Sequence, residues 1–252
     1  MSELQATTTE DHAVRELAPW GLREALLAVL ISAVVYLIPG SIFVRATDTY
    51  FKHQQLVGEM IAYQFLVLGV LLSVTLLILP NYPNAVERLG YRFPGWQTLA
   101  AAGASVVLIF IGISVLYWVF THLFPGYGLQ GNAKQELPVG HHIAFLNGVL
   151  LVLFAGVLVP FTEETLFRGI IFQGLARFFN RWIWKDGAVF LGAVLSGLLF
   201  GLAHGQPHTL PILAFLGICL AYIFYYGRSI YASALVHGIV NTIAVVAVLS
   251  SS

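Results

Sequence analysis

Long apolar stretches separated by short polar segments dominate this chain. Each stretch is long enough, or nearly so, to cross about 30 Å of hydrocarbon as a helix. The pattern therefore predicts an all-α fold, a polytopic transmembrane helix bundle of seven to eight spans. The stretches are Ala25–Val44 (interrupted by Pro39-Gly40), Leu56–Leu79, Thr98–Phe124, Ile143–Phe161 with its continuation TLFRGIIFQGLARFF, Ala188–Ala203, Leu210–Tyr226 and Tyr231–Leu249.

The segment from Ile143 to Phe179 decides between seven and eight spans. It is too long for one straight span, so either it breaks near Pro160 into two spans or its C-terminal part lies along the membrane surface. We favour seven, because most loop cations then share one side, which the positive-inside rule makes cytoplasmic along with the N-terminus. With eight spans the bias is weaker and reversed. In the seven-span case Arg15, Arg23, Arg88, Arg92, Arg177, Arg181, Lys185 and Arg228 lie on the N-terminal side, and Arg45, Lys52 and Lys134 on the other.

Composition supports a membrane protein. Of the 252 residues, 58% are hydrophobic and only 10% are charged, against about 25% charged in soluble domains, and the mean hydropathy is +0.84. We expect an integral membrane protein whose first partner is the lipid bilayer. The 12 basic and 12 acidic residues form no basic run, which argues against nucleic-acid binding. The single cysteine, Cys219, cannot form an internal disulfide.

The chain divides into three parts by composition. Residues 1–24 form a polar N-terminal segment without the pattern of a cleavable signal, residues 25–142 form N-terminal transmembrane helices and loops, and residues 143–249 form a C-terminal set of apolar stretches that contains most of the polar residues within spans. Two loops are predicted to be structured. Residues 81–97 are amphipathic and aromatic, as suits the lipid headgroup layer, and residues 124–142 are rich in Gly and Pro, as suits a loop at one membrane face.

Strongly polar side chains gather within or beside the apolar stretches after residue 140. An ionisable residue at the centre of a span costs roughly 2.5–3.5 kcal/mol on insertion scales, so such residues usually face a cavity or a partner. FGLAH places Phe200 and His204 four residues apart, and HGIVN does the same for His237 and Asn241, so each pair shares one helix face. The set is Asn147, Glu163, Glu164, Arg168, His204, His237 and Asn241.

Helical spacing separates the two adjacent glutamates. Glu164 and Arg168 are four residues apart with the acid first, which is the favourable orientation for an ion pair. Glu163 points about 100° away and has no partner at that spacing. We therefore expect Arg168 to neutralise Glu164 and to leave Glu163 as the free carboxylate.

This set of side chains suits hydrolysis of an acyl bond by an activated water. A carboxylate and an imidazole can bind and deprotonate a water, while a second imidazole and a carboxamide can donate hydrogen bonds to an oxyanion. No G-x-S-x-G elbow and no H-E-x-x-H zinc motif is present. A zinc site built from Glu163, His204 and His237 remains chemically possible, so the cofactor is either none or Zn²⁺.

Three motifs, in this order, resemble the intramembrane proteases related to the CAAX prenyl endopeptidase Rce1, the CPBP or Abi family. They are E-E-x-x-x-R at Glu163–Arg168, F-x-x-x-H at Phe200–His204 and H-x-x-x-N at His237–Asn241, and the resemblance covers about residues 143–249. It implies a helix bundle with a site inside the bilayer, and a membrane peptide or a lipidated protein as substrate.

The resemblance also implies a role for each motif residue. Glu163 activates water with the help of His204, and His237 and Asn241 hold the oxyanion. Glu164 and Arg168 shape the site, and Phe200 lines the substrate pocket. The family has been described both as metal-free glutamate proteases and as metalloproteases, so both versions of the mechanism stay open.

Another class of protein can use the same residues. Glutamate, histidine and arginine inside spans also form proton relays, so a proton-coupled transporter or channel is the alternative function. Two observations count against it: no inverted repeat is visible, and the polar groups gather in one third of the chain. A non-catalytic scaffold is the third possibility, but every side chain that the motifs require is present.

Overall fold

The computed structural model describes residues 17–50, 55–124 and 145–250, and it contains helices and no strand within these ranges. Seven helices are long and apolar enough to cross a membrane, which confirms the all-α prediction and favours the seven-span count. They are α1 (Leu22–Val35, Tyr36–Gly40 and Ser41–Tyr50), α2 (Gln55–Ser73 and Val74–Ile78), α3 (Trp96–Leu123), α4 (Phe145–Leu153, Phe154–Leu158, Val159–Glu164, Thr165–Phe172 and Gln173–Phe179), α5 (Lys185–Ala203), α6 (Leu210–Gly227) and α7 (Ile230–Ser250).

Helix α4 does not break near Pro160, which removes the first of the two alternatives for this segment and agrees with the favoured count of seven spans. The residues at its internal junctions, Leu153, Leu158, Glu164 and Phe172, all keep right-handed helical angles. At 1.5 Å per residue the helix is about 50 Å long. It therefore exceeds the hydrocarbon thickness and extends beyond it or tilts.

The two prolines that lie beyond the first turn of a transmembrane helix are in or beside a π-helical turn. Pro39 lies within the π turn Tyr36–Gly40 of α1, and Pro160 follows the π turn Phe154–Leu158 of α4. A proline has no N–H to donate and its ring crowds the preceding turn. A π turn widens the backbone at that point, which is how both helices continue where the sequence predicts an interruption.

Helix α4 is the central helix of the described structure. It contacts α1, α2, α5, α6 and α7, and every residue from 162 to 176 is buried. A helix that is buried on all sides presents no lipid-facing stripe. Its polar residues therefore face other helices and not lipid. Glu163, Glu164 and Arg168 can lie far from the ends of the span because they are shielded from the hydrocarbon.

Small residues let α4 and α7 cross closely. A Cβ atom at Gly238 would collide with the carbonyl oxygen of Gly156, and a Cβ at Gly156 would lie 2.5 Å from Oγ1 of Thr242. Close backbone approach at small residues is a common way for membrane helices to associate. Gly238 directly follows His237, so this crossing sets how near the α7 part of the motif set comes to α4.

The segment that follows α2 packs against the bundle. A short helix (Ala85–Arg88) is held by the Gln173 side-chain amide, which donates to the Arg88 carbonyl at 3.0 Å, and the Ile230 N–H donates to the Gly90 carbonyl at 2.9 Å. Phe93 and Trp96 stay exposed, consistent with the headgroup layer. The predicted loop at 124–142 lies almost entirely outside the described residues.

Candidate active site

Helix α4 contributes three charged residues near its midpoint, Glu163, Glu164 and Arg168. Nη1 of Arg168 lies 2.9 Å from Oε1 of Glu164, and both side chains are fully buried. The ion pair predicted from their spacing is therefore present. Glu163, one residue earlier, is 9% exposed and forms no contact with Arg168 shorter than 4.0 Å.

Two other helices hold the Arg168 guanidinium. Its Nη2 donates to the carbonyl of Gly217 in α6 at 3.3 Å, and its central carbon lies 4.7 Å from the centre of the Phe200 ring in α5. The carbonyl and the ring face are both favourable partners for a cation. The Glu164 carboxylate, paired with this guanidinium, is thereby fixed in position.

The imidazole of His237 connects the two glutamates. Its Nδ1 lies 2.9 Å from Oε1 of Glu164, and its Nε2 lies 3.7 Å from Oε2 of Glu163. A carboxylate can only accept, so Nδ1 carries a hydrogen and donates it to Glu164. The ring is 1% exposed, and its Nε2 faces the free carboxylate.

His204 occupies a different place from the other motif residues. It follows the last residue of α5, its side chain is exposed, and its Nδ1 lies 2.8 Å from the Phe200 carbonyl. It forms no ion pair with either glutamate in the described part of the chain. The motif resemblance pairs His204 with Glu163, but the structure places His237 beside that carboxylate.

Phe200 separates the two histidines. Its ring is 1% exposed and lies 4.8 Å from the ring of His204 and 5.5 Å from that of His237, both in edge-on contacts. It also stacks on Arg168. Phe200 therefore packs between the buried charges and the exposed end of α5, in the place where a residue lining the site would lie.

The side chain of Asn241 is partly buried and bonded to α4. Its Nδ2 donates to the carbonyl of Ala155 at 3.1 Å. A carboxamide nitrogen carries two hydrogens, so one N–H can serve this carbonyl while the second remains for another acceptor.

The residues predicted as metal ligands do not form a ligand set. Glu163 and His237 approach each other, whereas His204 lies across Phe200 at the end of α5. Among the described residues no group of three His, Cys, Asp or Glu side chains is arranged to hold a metal ion.

Tyr63 of α2 reaches the same site, although it belongs to none of the three motifs. Its hydroxyl lies 3.4 Å from Oε1 of Glu163 and 3.3 Å from the Val159 carbonyl, and its ring packs edge-on against Phe154. Tyrosine is ordinary in a membrane helix, and this one precedes the motif region by 100 residues. Periodicity along α2 contains no signal for its contact with α4.

Oε2 of Glu163 has unused hydrogen-bonding capacity, as do Oε2 of Glu164 and Nε of Arg168, but it is the one of these atoms that lies opposite Nε2 of His237. It is buried without a hydrogen-bond partner among the described residues, while Oε1 is approached by Tyr63 and Nε2 of His237 lies opposite. A separation of 3.7 Å is too long for a direct hydrogen bond, but one water can bond to both atoms. The arrangement suits the binding and deprotonation of a water.

Comparison with known proteins adds independent information. Residues 144–243 match the family model for "Type II CAAX prenyl endopeptidase Rce1-like" proteins. The chain is 26% identical over 207 residues to the "Putative membrane peptidase YdiL" of Bacillus subtilis (strain 168), which covers 80% of this chain and 75% of that protein.

Two further relatives are more distant or shorter in extent. The "Membrane-embedded CAAX protease MroQ" of Staphylococcus aureus (strain USA300) is 22% identical over 228 residues, 88% of this chain and 87% of that protein. An "Uncharacterized 24.3 kDa protein" of Escherichia coli is 43% identical over 66 residues, 26% of this chain and 28% of that protein. No solved structure shows significant similarity to the chain.

Proposed function

Because residues 144–243 form an Rce1-like region of the CAAX prenyl endopeptidase type, we propose that this membrane protein is an intramembrane endopeptidase. Its substrates are membrane-associated or lipidated peptides and proteins. The observation that carries the proposal is the convergence of Glu163, Glu164, Arg168 and His237 at half the length of α4. Three of these residues come from α4, and the fourth, His237, comes from α7 and lies 73 residues after Glu164 in the chain.

The proposed reaction begins at Glu163. Its Oε2 accepts a proton from a bound water as the water oxygen attacks the carbonyl carbon of the peptide bond. The carbon–oxygen bond forms, and negative charge develops on the former carbonyl oxygen. When the carbon–nitrogen bond breaks, Glu163 returns the proton to the departing amine, so the carboxylate is regenerated after each turnover.

Two side chains of α7 are proposed to hold the oxyanion. The cationic form of an imidazole carries a hydrogen on Nε2 in addition to the one that Nδ1 of His237 donates to Glu164. Nε2–H of His237 and the second N–H of Asn241 are then the proposed donors to the oxyanion. His204, exposed at the end of α5, is proposed to accept the proton that the newly formed carboxylic acid releases and to pass it to solvent.

We propose a mechanism without a metal ion, and the position of His204 away from Glu163 and His237 in the described residues supports it. Binding of zinc by Glu163, His204 and His237 would require His204 to move past Phe200. Elemental analysis of purified protein, together with activity after chelation, tests this: stoichiometric zinc that is lost together with activity would contradict the metal-free mechanism.

A direct experiment tests the function and identifies the substrate. Membranes that carry the wild-type chain are compared with membranes that carry Glu163→Ala, and the released peptides are identified by mass spectrometry. We expect peptides that appear only with the wild type. Identical peptide sets from both membranes would contradict the protease proposal.

Tyr63 is proposed to hold Oε1 of Glu163, so that Oε2 stays available to the water. Substitution Tyr63→Phe removes only the hydroxyl and keeps the ring contact with Phe154. Hydrogen bonds to charged groups contribute about 1.5–3 kcal/mol, and 1.36 kcal/mol corresponds to a tenfold rate change. We expect kcat to fall about tenfold with KM unchanged.

The matched control for Tyr63 is Tyr91→Phe. Tyr91 also contacts α4 through its hydroxyl, which hydrogen-bonds to Oγ1 of Thr165, but it does not contact Glu163. Equal kcat values in the Tyr63→Phe and Tyr91→Phe chains would show that the Tyr63 hydroxyl has no part in the reaction.

The distribution of cations supports an orientation in the membrane. Three hydrogen bonds show that the ends of several helices lie on one side of the bundle. They join Arg177 to the Ala18 carbonyl, Gln173 to the Arg88 carbonyl and the Ile230 N–H to the Gly90 carbonyl. This end holds Arg23, Arg88, Arg92, Arg177, Arg181, Lys185 and Arg228. The positive-inside rule makes it the cytoplasmic side, with the N-terminus, in a bacterial plasma membrane.

This orientation predicts that His204 lies at the extracytoplasmic side. Alkaline phosphatase, which is active only outside the cytoplasm, should be active when fused after Gly205 and inactive when fused after Asn180. Green fluorescent protein at the same two positions should give the opposite pattern and serves as the control. Active phosphatase at Asn180 would reverse the proposed orientation.

A further inference from the structure

The π turn of α4 leaves one backbone carbonyl without its expected donor. The N–H of Val159 donates to the carbonyl of Phe154, five residues earlier. In that register the next N–H would come from residue 160 and would reach the carbonyl of Ala155. Residue 160 is proline and has no N–H, so the register ends there.

The side chain of Asn241 takes the place of the missing N–H. Its Nδ2 donates to the Ala155 carbonyl at 3.1 Å from the neighbouring helix α7. Inside a membrane, an unsatisfied carbonyl costs several kcal/mol, and neighbouring side chains commonly satisfy the groups that a proline frees. The close crossing at Gly156 and Gly238 brings the carboxamide within reach.

The positions of these residues connect the carbonyl to the chemistry. Pro160 precedes Glu163 by three residues on α4, and Asn241 follows His237 by four residues on the same face of α7. A hydrogen bond from one N–H of Asn241 to Ala155 fixes the plane of the carboxamide. The direction of the second N–H is then set by the α4 backbone.

We propose that Pro160 is a positioning residue: it frees the Ala155 carbonyl, which holds Asn241 in the orientation for donating to the oxyanion. This inference rests on the proposed function. Any other residue at position 160 would have an N–H that could bond to the Ala155 carbonyl within α4. That carbonyl would then not need a donor from α7. The carbonyl is available to Asn241 because that N–H is missing.

The proline in the π turn of α1, Pro39, provides a matched control. Pro39 also lies in a π turn, but the carbonyl five residues earlier, that of Val34, accepts no side-chain hydrogen bond among the described residues. Pro39→Ala and Pro160→Ala therefore make the same chemical change in a similar backbone. Only Pro160→Ala adds an N–H that competes with Asn241 for its acceptor.

Kinetics of four variants test the proposal on the peptide substrate identified as above. Loss of one oxyanion donor costs about 10²–10³ in kcat, so we expect a loss near 100-fold for Asn241→Ala with little change in KM. Pro160→Ala should lower kcat about tenfold, and Pro39→Ala should change it less than twofold. The double variant Pro160→Ala/Asn241→Ala should be no slower than Asn241→Ala, because coupled residues are not additive.

Two kinetic results would overturn the proposal. One is a Pro160→Ala chain as active as the Pro39→Ala chain, and the other is a double variant whose loss is the product of the two single losses. Cleavage by Glu163→Gln at the wild-type rate would instead overturn the proposed function, so the two failures are distinguishable.

Thermal unfolding of the same variants gives a test that needs no substrate. Asn241→Ala should lower the midpoint temperature of the chain with Pro160, because the Ala155 carbonyl then loses its donor. In the Pro160→Ala background the backbone N–H supplies a donor, and Asn241→Ala should lower the midpoint much less. Equal decreases in both backgrounds would overturn the proposal, whatever the activity.

Discussion

Purified chain with Glu163→Gln is expected to bind its peptide substrate normally and to cleave it about 10²–10⁴ times more slowly than wild type. Glutamine has the shape of glutamate and keeps an oxygen for the Tyr63 hydroxyl, which lies 3.4 Å from Oε1 in the wild type. A carboxamide does not accept a proton from water, so only the water-activating step is removed. Cleavage rates and binding of the intact peptide should be measured separately.

The control for this experiment is Glu87→Gln. Glu87 is an exposed glutamate of the short helix that follows α2, away from α4, so it tests the general effect of removing one acidic charge. Equal cleavage by the Glu163→Gln and wild-type chains would place the base elsewhere. Movement of protons by reconstituted protein that depends on Glu163 would favour the transporter alternative.

Removal of the Arg168 guanidinium is expected to be the most destabilising single change in the site. Arg168→Met leaves the Glu164 carboxylate fully buried without its cation. Breaking a buried ion pair by removing one partner costs about 3–5 kcal/mol, a large part of the stability of an ordinary domain. We expect a strongly lowered unfolding midpoint and a low yield of folded protein in detergent.

A double substitution separates the charge effect from lost packing. Glu164→Gln/Arg168→Met removes both charges and keeps an oxygen for Nδ1 of His237, so it should recover most of the lost stability. Arg181→Met, at an exposed arginine of the basic end, controls for loss of a positive charge and should change the midpoint little. A double variant as unstable as Arg168→Met alone would show that the guanidinium acts through its contacts with Phe200 and Gly217, not through Glu164.

Local features of the site were predictable because they depend on spacing within one helix. The pair of Glu164 and Arg168 follows from a four-residue separation, and the structure contains it at 2.9 Å. The separation of Glu163 from that pair follows from the 100° turn per residue. Neither inference requires knowledge of a second helix.

The course of α4 at Pro160 could not be decided from the local sequence, which left two arrangements of residues 143–179 open. A proline predicts a break because its helix loses one hydrogen bond. Whether the helix continues depends on a π turn and on a donor from elsewhere, in this case Asn241 of α7. The donor is 81 residues away in the chain, so the sequence around Pro160 could not show it.

The identity of the histidine beside Glu163 also depended on packing between helices. His204 and His237 are equivalent in the motif pattern, since each lies four residues from another motif residue. In the structure Phe200 lies between them, and only His237 faces the glutamates. Tyr63 shows the same limitation, because its contact with Glu163 depends on how α2 packs against α4.

The sequence by itself determined the membrane setting, the all-α fold and the group of side chains from which the site is built. Those properties depend on apolar length, composition and spacing along single helices. Only the tertiary structure decided which imidazole faces Glu163, how α4 passes Pro160 without breaking, and what Asn241 binds. The reason is physical, because all three features depend on how far one helix is rotated and shifted against its neighbour. Close contacts between small residues, such as Gly156 and Gly238, set this rotation and shift, and they form only when the helices pack.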